Sequence, residues 1–214
     1  SSETALFEGY IGKSGKYYAL YPYSSGAHMN YSDSLSFSLP DVQYYVENSF
    51  GRGSYPMVAR KGADEDFHFQ NLCGILVLRM TGDFTVKAIT FSAKDSLGNP
   101  MKLSGKASVD MGYEETPVLR MGEESGYAIK LDCGEGVLLD TSEPVPFHIV
   151  LPPAVYSTFQ ITVATTDGRI LTKEGTKPLK ITRSVATKSG QFSPVDVEFV
   201  DLSVDGTANC YIVS

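Results

Sequence analysis

Cysteine, histidine and basic charge are all scarce in this sequence of 214 residues, and each shortage excludes something. The three cysteines, Cys73, Cys133 and Cys210, include no C-x-x-C pair, so no clustered zinc-ligand set is encoded locally. Three is an odd number, so at least one thiol is free or pairs between chains. Cys73 and Cys210 have apolar neighbours (Leu72 and Ile75; Tyr211 and Ile212), which suits buried thiols acting as small hydrophobes. A Cys73–Cys133 disulfide is the alternative. Lys and Arg number 18 against 25 Asp and Glu, and the net charge of −7 argues against a nucleic-acid partner, which wants a basic face. Long apolar runs are also missing. The longest aliphatic run, Ile75-Leu76-Val77-Leu78, falls far short of the roughly 20 residues a membrane helix needs. The chain opens Ser1-Ser2-Glu3 with no apolar leader, so any export signal is expected to have been removed or to lie outside this sequence.

Catalytic signatures are missing too. There is no G-x-S-x-G elbow for a serine nucleophile, no glycine-rich phosphate loop between a strand and a helix, and no EF-hand spacing. Of the three histidines, His68 and His148 fall on the polar phase of their strands and read as surface residues, while His28 sits in the loop Ser24-Ser25-Gly26-Ala27-His28. The carboxylate groups Glu114-Glu115, Glu123-Glu124 and Asp64-Glu65-Asp66 lie in polar, loop-like stretches. Adjacent strand residues face opposite ways, so such doublets make poor acid–base dyads and read as solvated charge. The Asp64–Asp66 run is at most a weak calcium holder. No catalytic, cofactor-binding or metal-binding residue is assigned. The expectation is a protein without hydrolytic activity and without a structural metal.

What the sequence does have is a period of two. Leu35, Phe37 and Leu39 alternate with serines; Phe67 and Phe69 alternate with His68 and Gln70. Phe147, Ile149 and Leu151 alternate with His148 and Val150, and Phe159, Ile161 and Val163 with Gln160 and Thr162. Such runs predict half-buried strands. In the stretch from Phe67, Leu76, Leu78 and Met80 are expected to point inward. Asp167-Gly168 predicts a tight hairpin, Leu97-Gly98-Asn99-Pro100 and Cys133-Gly134-Glu135-Gly136 predict loops, and Pro152-Pro153 ends a strand. With 42% apolar residues and no helical stripe beyond about two turns, the chain predicts an all-β sandwich protein.

Two regions differ. Residues 1–62 hold nine of the thirteen tyrosines, whereas the strands after Phe67 are denser and more aliphatic. The polar stretch Lys61-Gly62-Ala63-Asp64-Glu65-Asp66 marks the boundary. The expected organisation is a tyrosine-rich β region over 1–63, a β-sandwich domain over 64–190, and a linker and strand over 191–214. The chain is expected to loosen through Lys188-Ser189-Gly190 and to resume strand character at Val195, Val197 and Phe199. Tyrosine suits a half-buried strand with a wet edge. A second reading is that Tyr10, Tyr17, Tyr18, Tyr21 and Tyr23 stack on sugars.

Three groups of blocks resemble the fimbrillin-like (Mfa-like) surface proteins of Bacteroidales. The first is Lys16-Tyr17-Tyr18-Ala19-Leu20-Tyr21-Pro22-Tyr23 with Leu35-Ser36-Phe37-Ser38-Leu39-Pro40. The second is Phe67 to Leu76, containing Asn71-Leu72-Cys73-Gly74, with Val86-Lys87-Ala88-Ile89-Thr90-Phe91. The third is Pro146 to Pro153, with Phe159 to Val163 and Lys177 to Arg183. The resemblance implies an exported, lipid-anchored protein of the cell surface and outer membrane. It implies two consecutive β-sandwich domains of transthyretin- or immunoglobulin-like type. It also implies a role as fimbrial subunit, tip, anchor or related adhesin, with other surface or pilus subunits, host glycans or host proteins as partners. It carries no catalytic residue and no cofactor. A glycan-binding module of a surface lipoprotein is the alternative function. Only about six residues precede Phe7, so the first domain is expected either to be shorter than in the family or to lack an upstream part here. The tail, Thr207 to Val213, resembles the opening of a further module, and its removal is expected to leave stability nearly unchanged.

Overall fold

The computed structural model describes residues 15–30, 32–62, 65–192 and 199–200. Among them there is no helix. The strands are β1 (Tyr17–Tyr21), β2 (His28–Met29), β3 (Ser34–Leu39), β4 (Val42–Tyr44), β5 (Met57–Lys61), β6 (Gln70–Asn71), β7 (Gly74–Met80), β8 (Thr85–Lys94), β9 (Ser104–Asp110), β10 (Leu119–Gly126), β11 (Ala128–Leu138), β12 (Val145–Leu151), β13 (Ala154–Tyr156), β14 (Thr158–Thr165), β15 (Ile170–Gly175), β16 (Leu179–Ile181), β17 (Ala186–Phe192) and β18 (Phe199–Val200).

These strands enclose two cores. The first lies between the sheet β1-β5-β6 and the sheet β10-β9-β3-β2. The serine alternation in β3 has its expected effect: Leu35, Phe37 and Leu39 are buried and meet Ala107 and Val109 of β9, Val58 of β5, and Leu72 and Cys73. The second core lies between the sheet β18-β15-β14-β8-β11-β4 and the sheet β12-β7-β17, with the pair β13-β16 closing one end. Leu76, Leu78 and Met80 of β7 and Phe147, Ile149 and Leu151 of β12 all point into it, in the predicted phase. Tyr156 is fully buried, and its hydroxyl donates to the Pro152 carbonyl at 2.6 Å, which removes the penalty for burying it. The chain is thus all-β with sandwich cores. β3 pairs with β9, so residues on both sides of position 63 build the first core.

The start of β7 and the end of β12 form the wall between the cores. Ile75 and Val150 face the first core, while Leu76, Ile149 and Leu151 face the second. Gly74 is what lets β7 enter here: a Cβ on it would lie 2.3 Å from the Thr182 carbonyl oxygen. Ile75 donates its N–H to Val185 on the far side of β7, so its partner across the ladder, Val150, turns its own N–H and C=O away from β7. The buried Gln43 of β4 receives both. Its Nε2 donates to the Val150 carbonyl at 2.8 Å, and its Oε1 accepts from the Val150 N–H at 2.9 Å. By the same alternation Pro146 faces outward and has no N–H to offer. The outer edge of β12 is therefore closed at Val150 and donor-free at Pro146. The edge of β4 is covered as well, because Gly51 packs so closely on the Tyr44 backbone that a Cβ there would sit 2.3 Å from the Tyr44 carbonyl oxygen.

Several expectations are corrected. Residues 65–69 form no strand, and only Gln70–Asn71 pairs; Phe69 is 41% exposed. The short pairing follows from β5, which offers β6 only Met57 and Val58. Residues 133–136 are no loop but a bulge inside β11, between Asp132 and Val137. Gly134 (φ 60°) and Gly136 (φ 120°) allow the strand to bulge and rejoin β8. Lys188-Ser189-Gly190 belongs to β17, which runs parallel to β7 with a register shift, so its polar residues sit on a strand. The Asp167-Gly168 hairpin joins β14 and β15 as predicted. Val195, Val197, Cys210 and the tail 207–213 lie outside the described residues.

Candidate functional site

The structure disperses the histidines. His28 lies on β2, not in a loop, and its Nδ1 is 3.2 Å from the Gly26 carbonyl oxygen. His68 is exposed before β6. His148 sits on the β12 face opposite Phe147, as its phase predicts, but is half-buried. Burial holds its imidazole below the ordinary value, and Nδ1 has no partner among the described residues. Among the described residues no three His, Cys, Asp or Glu side chains gather as a metal set. Glu114 and Glu115 are exposed and outside any strand; Glu123 and Glu124, expected in a loop, lie on β10, where Glu124 pairs with Lys106.

Cys73 and Cys133 are unpaired and occupy different cores. Burial pushes both thiols up to about 12, so each stays protonated and unreactive at neutral pH.

The tyrosines separate by environment. Tyr10 is outside the described residues. Tyr18 packs on the first core, and burial, then the neighbouring Asp33 carboxylate, pushes its phenol up. Tyr17 lies under the Lys61 ammonium, 5.7 Å from its ring centre. Tyr21 is half exposed on β1, and Tyr23, just past β1, is 86% exposed.

Two clefts open on the first core. The larger, about 460 Å³, lies where β1 and β3 end. Its floor is Phe37 and Leu39, its apolar walls include Pro22, Pro40, Pro56 and Tyr23, and its polar groups are Ser24, Ser25, Ser38 and Asp41. Its volume falls in the range of small-molecule sites. The smaller, about 260 Å³, lies between Lys16, Tyr18, Arg60, Lys61 and Glu65. There the polar groups already have protein partners. Lys16 bridges Asp33 at 3.7 Å, and Lys61 donates to the Glu65 carbonyl at 2.5 Å. The Gly62 N–H donates to the Glu65 carboxylate, and Arg60 stacks on Tyr113 at 4.6 Å while donating to the Met111 carbonyl. In the larger cleft the Ser24 and Ser25 hydroxyls and the Asp41 carboxylate have no partner among the described residues.

The fold and clefts define an all-β protein with two sandwich cores and a mixed polar–apolar cleft on one of them. No protein-family model matches the chain, and no curated protein matches it. Among solved structures it is similar to a candidate cell adhesion protein of Bacteroides uniformis, at 12% identity and a TM-score of 0.48, over 86% of this chain and 69% of that one.

Sequence reasoning named Tyr23 only as one of five tyrosines, and missed Asp41 and the serines. Local pattern carries no sign of them, because β1 and β3 come together only through the packing of two sheets.

Proposed function

We propose that this chain is a non-enzymatic structural or adhesive protein of the bacterial cell surface, of fimbrillin type: a fimbrial subunit, tip or anchor component, or a related adhesin. The observation that carries the reading is where the fimbrillin-like blocks fall. The first covers β1 and most of β3, the second β6, the start of β7 and part of β8, and the third most of β12, the middle of β14 and β16. They lie on both cores and on the wall that joins them, so the resemblance follows the framework. On this reading the partners are other surface or pilus subunits and host molecules, the location is the outer membrane, and an upstream lipidated segment supplies the anchor. On this reading a neighbour's strand would add at a sheet edge, and among the described residues β1, β10 and β17 are, besides β12, the longer strands paired on one side only.

Protease shaving of intact cells that carry the protein, with gels of unheated and heated extracts, tests this. The expected result is loss of the protein from intact cells and a ladder that collapses on boiling. A protein untouched by protease until the cells are lysed would overturn the reading.

A further inference from the structure

We propose that the cleft between Tyr23 and Asp41 binds a neutral pyranose sugar, such as the end of a glycan chain. The proposal is independent of the surface-scaffold reading, since shaving and gel ladders can fail with sugar binding intact.

A pyranose ring is amphipathic: its C–H face is apolar, and its rim is a row of hydroxyls that both donate and accept. A site for it needs an uncovered aromatic face, acceptors that take two hydroxyls at once, and small groups that donate in return. Tyr23 supplies the ring, since 86% exposure leaves it largely uncovered by protein. Asp41 supplies an acceptor with two oxygens, and Ser24 and Ser25 supply hydroxyls that can donate or accept. None of these three polar side chains is committed to another described residue, so a ligand takes them without breaking a protein hydrogen bond. The smaller cleft fails this condition at Lys16, Arg60, Lys61 and Glu65.

Charge fixes the class of sugar. Among the described residues Asp41 is the one charged residue lining the larger cleft, and the whole chain carries −7, so an acidic sugar is repelled. A cationic ligand finds one aromatic ring rather than a cage, beside an exposed carboxylate. The cleft volume of about 460 Å³ takes a mono- or disaccharide and leaves the rest of a chain in solvent.

The test titrates the whole 214-residue chain with methyl glycosides of galactose, glucose and mannose, with N-acetylglucosamine, and with lactose and cellobiose, read by saturation-transfer NMR. Sialyllactose and choline form an anionic and a cationic arm. At least one neutral sugar is expected to bind in the millimolar range or tighter. Tyr23→Ala should weaken it roughly tenfold. Tyr23→Phe should retain it, Asp41→Asn should weaken it, and Tyr127→Ala, outside the cleft, should leave it unchanged. Tyr23 and Asp41 are exposed, so an unchanged melting temperature confirms that the variants fold. Binding of no neutral sugar, binding of only sialyllactose or choline, or neutral-sugar binding indifferent to Tyr23→Ala would each overturn the proposal.

Discussion

The two cores are built to different standards. Among the described residues the second buries twenty-one side chains, mostly Leu, Ile, Val and Phe from long strands, and its one buried tyrosine hydroxyl is paired inside. The first buries ten and is fringed by the half-buried tyrosines Tyr18, Tyr55 and Tyr113. Burial raises all three phenols, yet none of the three side chains is fully enclosed. Hydrophobic stabilisation follows apolar area removed from water, so the second core is the anchor of the fold and the first is the softer partner. Both clefts open on the first. A thin sandwich edged with tyrosines leaves gaps between its sheets that a thick aliphatic one fills, and those gaps are where a ligand can be met.

The sharpest way to break this comparison is to hollow out each core. Leu78→Ala, at a fully buried position of the second core, should cost roughly 2–5 kcal/mol in urea unfolding. Leu35→Ala in the first should fall toward the low end of that range, because fewer apolar neighbours surround it. A larger cost at Leu35 than at Leu78 would reverse the ranking. Next in size is the bond that ties the cores together. Gln43→Leu keeps the volume but strands the Val150 N–H and C=O, and should cost about 1–3 kcal/mol. An unchanged urea midpoint would show that the cores hold together without it.

The smallest effect belongs to the β14–β15 hairpin on the second core. Arg169, then Thr165, hold the Asp167 carboxyl down at about 2 by hydrogen bonds. A lowered carboxylate pKa stabilises above its unfolded value, and the contribution is lost as pH falls through the folded value. Asp167→Asn should therefore lower the melting temperature slightly at neutral pH, with the difference from the parent closing between about pH 4 and pH 2. A difference that grows on acidification would contradict the assignment.

Much of this architecture was legible in residue order, and the reason is local. In β3, β12 and β14 each apolar residue alternates with one of opposite facing, so a single strand reveals its own phase. Where both faces of a strand are buried, alternation vanishes. Ile75 and Val77 looked like the solvent side of β7, yet Ile75 packs on the first core and Val77 is buried. β17 was hidden because its residues are polar and its pairing is parallel to a strand about a hundred residues earlier, beyond any turn signal. The bulge in β11 was read as a loop because two glycines in four residues usually mean one. Gln43 gave no signal at all: a lone polar residue in a three-residue strand acquires its role only from Val150. The cleft was legible in part, as a concentration of tyrosine. Which tyrosine stays in the open was decided by how the sheets close.

The Gln43–Val150 bond has a consequence in time. Its partners are 107 residues apart, so on a chain made from its N-terminus the amide exists long before the backbone it is to grip. At about 5–20 residues per second the interval is on the order of ten seconds. β3 likewise waits for β9, and the first core waits for Val150 itself. The tyrosine-rich strands can pair as they are made, β1 with β5 and β2 with β3, but the core between them cannot close until β9 and Val150 exist. Each half also has a pair that waits for nothing distant: β2 meets β3, and β14 meets β15, across a short turn. A chain with this order of events carries its N-terminal sheets as paired strands over an unfilled core while the rest is being synthesised.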